Sequence, residues 1–182
     1  MKGVIFNIFE QFITANFGEA TYETIYEKSL QDLSCKEPYV GPGTYPDSDL
    51  LTLVSNAVEK LNISLHTAVF SFGVFLFPHL AKKLETHVAR YSHPKPFLMT
   101  LHGIIHAEVR KVMKDATPPS FECVDNGPSS LTMIYRSPRK LYPLVEGLLE
   151  GAARHFNVSM EVTREILNDE EGECRFEITF ES

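Results

Sequence analysis

Two adjacent prolines, Pro118 and Pro119, divide this sequence into parts with different periodicities. Neither carries a backbone N–H, and each ring clashes with the preceding helical turn, so a helix arriving from the N-terminal side ends there. Before the pair, apolar residues recur at three- and four-residue intervals; after it they mostly alternate. Helices first and a sheet second predict an α+β domain rather than an alternating α/β fold.

The helical part starts at once. Residues 2–17 carry one broad apolar face, Val4, Ile5, Ile8, Phe9, Phe12 and Ile13, and Gly18 stops the helix. A shorter helix is expected over 21–30, then a loop over 35–46 marked by the Gly-Pro-Gly run at 41–43. Asp47 is placed to cap a helix from Leu50 to Leu61. Ser64 opens a strongly apolar helix through Phe77, which Pro78 is expected to interrupt, with a further helix over 79–90. The run Ser-His-Pro-Lys-Pro at 92–96 reads as a break. Beyond it Leu98, Leu101, Ile105, Val109 and Val112 give a helix from Phe97 to about Asp115.

After Pro119, short strands are expected at Phe121–Val124 and Leu131–Tyr135, joined by the turn Asp125-Asn126-Gly127-Pro128. A helix over Arg139–Phe156 follows, then strands over Val158–Leu167 and Cys174–Phe180. The expectation is a four-stranded antiparallel sheet with a helix on one face, and a cleft where sheet and helical layer meet. Residues 1–182 read as one domain, a mostly helical part over 1–96 and the rest over 97–182. A chain of this length buries about 70% of its unfolded surface.

A net charge of −7 argues against nucleic acid as the main partner, which needs basic patches. No apolar run reaches the length of a membrane span, and Lys2 comes too early for a secretory signal. Three cysteines without metal-site spacing suit reduced thiols. Together these point to the cytoplasm.

The chemistry-bearing residues cluster around the prolines. His106 shares a helical face with Met99, His102, Val109 and Met113, a soft apolar stripe suited to an axial ligand of haem iron. An imidazole on such a face also reads as an ordinary core residue. Thirteen residues on comes Pro119, then Tyr135, Ser137 and Arg139, which supply two hydroxyls and a planar fork of donors for carboxylates. Ser137-Pro138 also reads as an N-cap and first helical residue. His102 and His106, four apart, could offer two imidazoles to zinc, but Gly103 stands where a zinc protease needs its Glu.

His106, Pro119 at that spacing and the ungapped Tyr135-Arg136-Ser137-Pro138-Arg139 together resemble the haem-nitric oxide/oxygen binding (H-NOX) domains. These are relatives of the sensor domain of soluble guanylate cyclase. The likeness extends through MKGVIFNIFE, FGVFLF and EGLLEGAARHF, nearly the whole chain. It implies haem b as cofactor, His106 as the iron ligand, Pro119 against the macrocycle, and Tyr135, Ser137 and Arg139 on the propionates. Oxygen-binding members hold oxygen with a Tyr helped by Asn and Trp. Leu144, Leu76 and Phe9 stand at the matching positions here, with Ile5 completing an apolar wall, which implies a sensor of nitric oxide and CO that excludes oxygen. Some relatives hold a structural zinc; of its ligands only Cys174 is kept, beside Tyr142, Thr163 and Ile166, so no zinc is expected. The resemblance further implies no catalytic activity of the domain's own, and a histidine kinase or a cyclic-di-GMP enzyme as signalling partner. The rival readings are a zinc hydrolase built on His102 and His106, and a metal-free interaction or lipid-binding module.

Overall fold

The structure, a computed structural model, describes residues 1–101, 103 and 117–181. The helical layer comprises α1 (Gly3–Phe17), α2 (Glu19–Ser29), α3 (Asp47–Leu61), α4 (Leu65–Lys83) and the short α5 (Glu85–Val88) and α6 (Pro94–Leu98). The sheet part comprises β1 (Ser120–Asp125), β2 (Ser130–Arg136), α7 (Tyr142–Phe156), β3 (Met160–Asn168) and β4 (Glu173–Phe180). The helices-then-sheet order expected from the prolines is the observed one. Most of the expected helix over 97–115, His102 and His106 included, lies outside the described residues.

Ser64 caps α4 as expected, its hydroxyl accepting the Thr67 N–H at 3.0 Å. Three local expectations differ. Pro78 does not interrupt α4, which runs on to Lys83. Phe77 and Ala81, on either side of it, are buried in one core, and that packing carries the helix past the lost backbone bond. Asp47 is the first residue of α3 rather than its cap; Pro46 occupies the cap, and the Asp47 carboxylate is used elsewhere. The break expected at 92–96 contains α6, which starts at Pro94 with His93 accepting the Lys95 N–H at 3.2 Å.

The described residues form two apolar clusters. The first lies among α1, α2, α3 and α4 and is rich in rings, Phe6, Phe9, Phe12 and Phe72 among them. The second lies between the sheet and α7, with Leu131, Met133, Cys174, Phe176 and Ile178 fully buried. Helix α4 serves both, giving Phe72 and Leu76 to the first and Phe77 and Ala81 to the second. It packs on α7 at a close crossing: a Cβ at Gly147 would collide with the Phe70 carbonyl oxygen, so only glycine admits this approach.

The sheet is antiparallel with order β1-β2-β4-β3. Burial in β4 alternates residue by residue, the pattern of one covered and one solvated face. The solvated face is laced by ion pairs, Arg136 with Glu122 and Glu173, and Arg175 with Glu165 and Glu177. No single helix among the described residues is long and apolar enough to cross a membrane.

Candidate functional site

The polar edge of the site grows from the connection between β2 and α7. Helix α7 does not begin at Arg139; it begins at Tyr142, so Ser137 and Arg139 lie in a turn and Ser137 is not a helix cap. The Ser137 hydroxyl instead accepts the Arg139 N–H at 3.3 Å, and Lys140 turns the chain with φ 50°. Beneath this turn passes the β3–β4 connection, where the Gly172 carbonyl accepts the Ser137 N–H at 3.1 Å. A Cβ at Gly172, whose φ is 67°, would collide with the Ser137 carbonyl, so glycine is required for the two turns to nest.

Tyr135, the last residue but one of β2, lies on its covered face and is 2% exposed; Ser137 is 4% exposed. The Tyr135 hydroxyl accepts the Leu141 N–H at 3.3 Å, so its proton remains a donor. Burial pushes the phenol above its ordinary value, against the pull of Ser137, the Leu141 N–H and Arg139, and keeps it neutral.

Arg139 reaches across the molecule. Its Nε donates to Asp47 Oδ2 at 2.5 Å, its Nη1 to the Thr117 carbonyl at 2.7 Å and its Nη2 to the Thr117 hydroxyl at 2.9 Å. The other Asp47 oxygen lies 2.7 Å from the Met1 amino group. Burial raises the Asp47 carboxyl, but Met1 and Arg139 outweigh it and hold the group below the usual carboxylate range. A guanidinium has five N–H bonds; contacts with described residues use three, and the two left lie on opposite edges, one on Nη1 and one on Nη2 beside Asp47.

The apolar side comes from three helices. Ile5 and Phe9 lie on α1, Leu76 on α4 and Leu144 on the first turn of α7. All four belong to, or pack against, the first apolar cluster. Phe9 and Leu76 are each 2% exposed, and Phe9 meets Phe72 edge-on with ring centres 5.3 Å apart. Ile5 and Leu144 are half-buried.

The structure thus brings Tyr135, Ser137 and Arg139 together at one turn and Ile5, Phe9, Leu76 and Leu144 into one cluster. Pro119 is half-buried two residues beyond Thr117. Cys174 is fully buried, its thiol pushed up to about 11 by burial, and its ladder partners are Tyr135 on β2 and Ile166 on β3. Two residues of the polar edge escaped the sequence reading, Asp47 and Thr117. Asp47 was legible only as a cap; nothing in the sequence marks Thr117 as a partner of Arg139, 22 residues away.

This sequence matches the haem-NO-binding family over residues 2–164, and the chain belongs to that family. Solved structures agree. The unliganded Fe(II) H-NOX protein of K. algicida is 30% identical, with a TM-score of 0.91 over all of this chain and 97% of that one. The H-NOX protein of S. oneidensis in its Fe(II)NO state is 28% identical, with a TM-score of 0.89 over the whole of both chains. The H-NOX domain of Shewanella oneidensis in its Fe(II)CO state is 29% identical, with a TM-score of 0.88 over all of this chain and 99% of that one. Among curated proteins no relative matches. The cofactor of the family is haem. The residues present suit it: hydroxyl and guanidinium donors for an acidic edge at the β2–α7 turn, and the hydrocarbon side chains of Ile5, Phe9, Leu76 and Leu144 for an apolar ring.

Proposed function

We propose that residues 1–182 act as one haem b domain that senses nitric oxide, also takes CO, and excludes oxygen. The observation that carries this reading is the joining of Tyr135, Ser137 and Arg139 at a single turn, with the outer Nη1 N–H of Arg139, away from Asp47, unspent among the described residues. His106 holds the iron, the only protein side chain to do so, and Pro119 bears on the macrocycle. Arg139, Tyr135 and Ser137 hold the propionates; charge-assisted bonds from the guanidinium contribute most. The bound group supplies a ferrous iron with one position open to a diatomic gas.

Selectivity would come from the apolar set. Ile5, Phe9, Leu76 and Leu144 have no N–H or O–H to offer, and bound oxygen, being polar, gains from a hydrogen bond where nitric oxide needs none. As a sensor the domain has no catalytic role of its own, in keeping with its haem-NO-binding family. Its signal passes in the cytoplasm to a separate partner, a histidine kinase or a cyclic-di-GMP enzyme. A change in the hold of His106 lets the segment 97–115 shift, which biases the helical half against the sheet half and alters the surface the partner reads.

The test is the visible spectrum of the purified, reduced protein before and after air is admitted. A strong Soret band that responds to nitric oxide and CO, but not to air, is the expected result. A colourless protein with stoichiometric zinc, or with no metal, overturns the haem reading. A lasting spectral change in air overturns oxygen exclusion alone.

A further inference from the structure

The segment that carries His106 leads in sequence to Thr117, and among the described residues Thr117 is held by the Arg139 side chain. Pro118 and Pro119 bring no N–H to the carbonyls at this exit, and a residue before proline is driven out of the helical region. Arg139 fills the gap twice over. One amino group of its fork donates to the Thr117 carbonyl at 2.7 Å and the other to the Thr117 hydroxyl at 2.9 Å. The third contact, Nε to Asp47 Oδ2 at 2.5 Å, comes from a different face. Three contacts to two fixed partners determine the plane of the guanidinium.

We propose that Thr117 is a positioning residue for the haem propionates, acting through Arg139; this rests on the haem reading above. An arginine beside a single carboxylate relaxes toward the two-bond, fork-to-fork arrangement, which is the strongest one open to it. Here that would swing Arg139 fully onto Asp47. The Thr117 carbonyl and hydroxyl hold the end of the fork between the two amino groups, which fixes the guanidinium plane against that swing and leaves the outer Nη1 N–H, on the edge away from Asp47, for another anion. Asp47 is poorly placed to resist, because its other oxygen is already held by the Met1 amino group at 2.7 Å. Thr117 also ties the end of the His106 segment to the same arginine, so the iron side and the propionate side of the group share one anchor.

The experiment follows haem transfer from the loaded full-length protein to an excess of an acceptor apoprotein, with thermal midpoints measured in parallel. Thr117→Val keeps the branched shape and the carbonyl but removes the hydroxyl acceptor. It is expected to speed haem loss roughly three- to tenfold, the scale of one hydrogen bond. Thr117→Ser restores the wild-type rate. In an Arg139→Ala background Thr117→Val adds nothing, which a merely structural threonine would not obey. If the valine variant folds poorly, Thr117→Ala removes the same hydroxyl and carries the same expectation. A wild-type rate in the variants lacking the hydroxyl, or an equal effect with and without Arg139, overturns the positioning role while leaving the haem reading intact. A wild-type protein that takes up no haem overturns both.

Discussion

The two sides of the candidate site are built by opposite means. The polar edge is local in sequence: Tyr135, Ser137 and Arg139 fall within five residues, and one turn assembles them. The apolar side is dispersed: Ile5, Phe9, Leu76 and Leu144 come from three helices and meet only because α1, α4 and α7 pack together. A local set can carry a signature because the turn imposes its spacing. A dispersed apolar set cannot, since the same residue types fill any core. On the proposed function, the polar edge would decide what is held, and the apolar side what is admitted to it. Substitutions on the first should change retention of the group; substitutions on the second should change ligand choice and leave retention alone.

The largest effect is expected at the residue assigned to the iron. His106→Gly should yield a protein that loses haem unless free imidazole is supplied, whereas His102→Gly should keep it. Absorbance at the Soret band, with and without imidazole, decides. If His102→Gly lost the group and His106→Gly kept it, the ligand would be misassigned.

Next comes the polar edge itself. Arg139→Ala should weaken retention by about 1.5–3 kcal/mol, the usual scale for a hydrogen bond to a charged group. Tyr135→Phe and Ser137→Ala should each do less, because each removes a neutral donor. Haem dissociation rates for the three variants check the ranking, and a wild-type rate for Arg139→Ala would break the division between the two sides.

A smaller effect lies in the pH dependence of folding. The Asp47 carboxyl is held below its ordinary range in the folded chain, so the unfolded chain takes up its proton at the higher pH. Its stabilisation is complete above the unfolded carboxylate pKa and is lost as pH falls through the lowered folded value. Thermal midpoints measured on descending from about pH 5 should fall more steeply in the wild type than in Asp47→Asn. Parallel profiles would show that the pair with Arg139 contributes nothing measurable.

The smallest effect sharpens the comparison from the other side. Leu144→Tyr places one hydroxyl on the apolar wall and should permit at most weak oxygen binding, since no second donor stands near it in that set. Spectra of the reduced variant in air, read beside its haem dissociation rate, provide the check. A variant that lost haem quickly would show that the apolar side also governs retention.

Much of the architecture was legible from periodicity. The alternation in Phe176, Ile178 and Phe180 marks a half-covered strand, and the prolines at 118 and 119 mark the change from helix to sheet. Where local rules failed, a long-range contact had overridden them. Pro78 looked like a helix end, yet burial of Phe77 and Ala81 holds α4 continuous. Ser137-Pro138 looked like a helix start, yet nesting against Gly172 keeps it a turn. Asp47 looked like a cap, yet its carboxylate is drawn to Arg139, far along the chain.

By itself the sequence determined the order of elements, the face each turns inward, and the set of donors at the β2–α7 turn. Those properties depend on side chains a few residues apart, whose spacing is set by backbone geometry. Only the tertiary structure decided where the Arg139 fork points, which segments it joins, and which of many apolar residues gather beside it. Such contacts link positions tens of residues apart, and no local periodicity encodes them. Thr117 shows the difference most plainly: an unremarkable residue in the sequence, it becomes a partner of Arg139 because the chain folds back to bring the two within 2.7 Å.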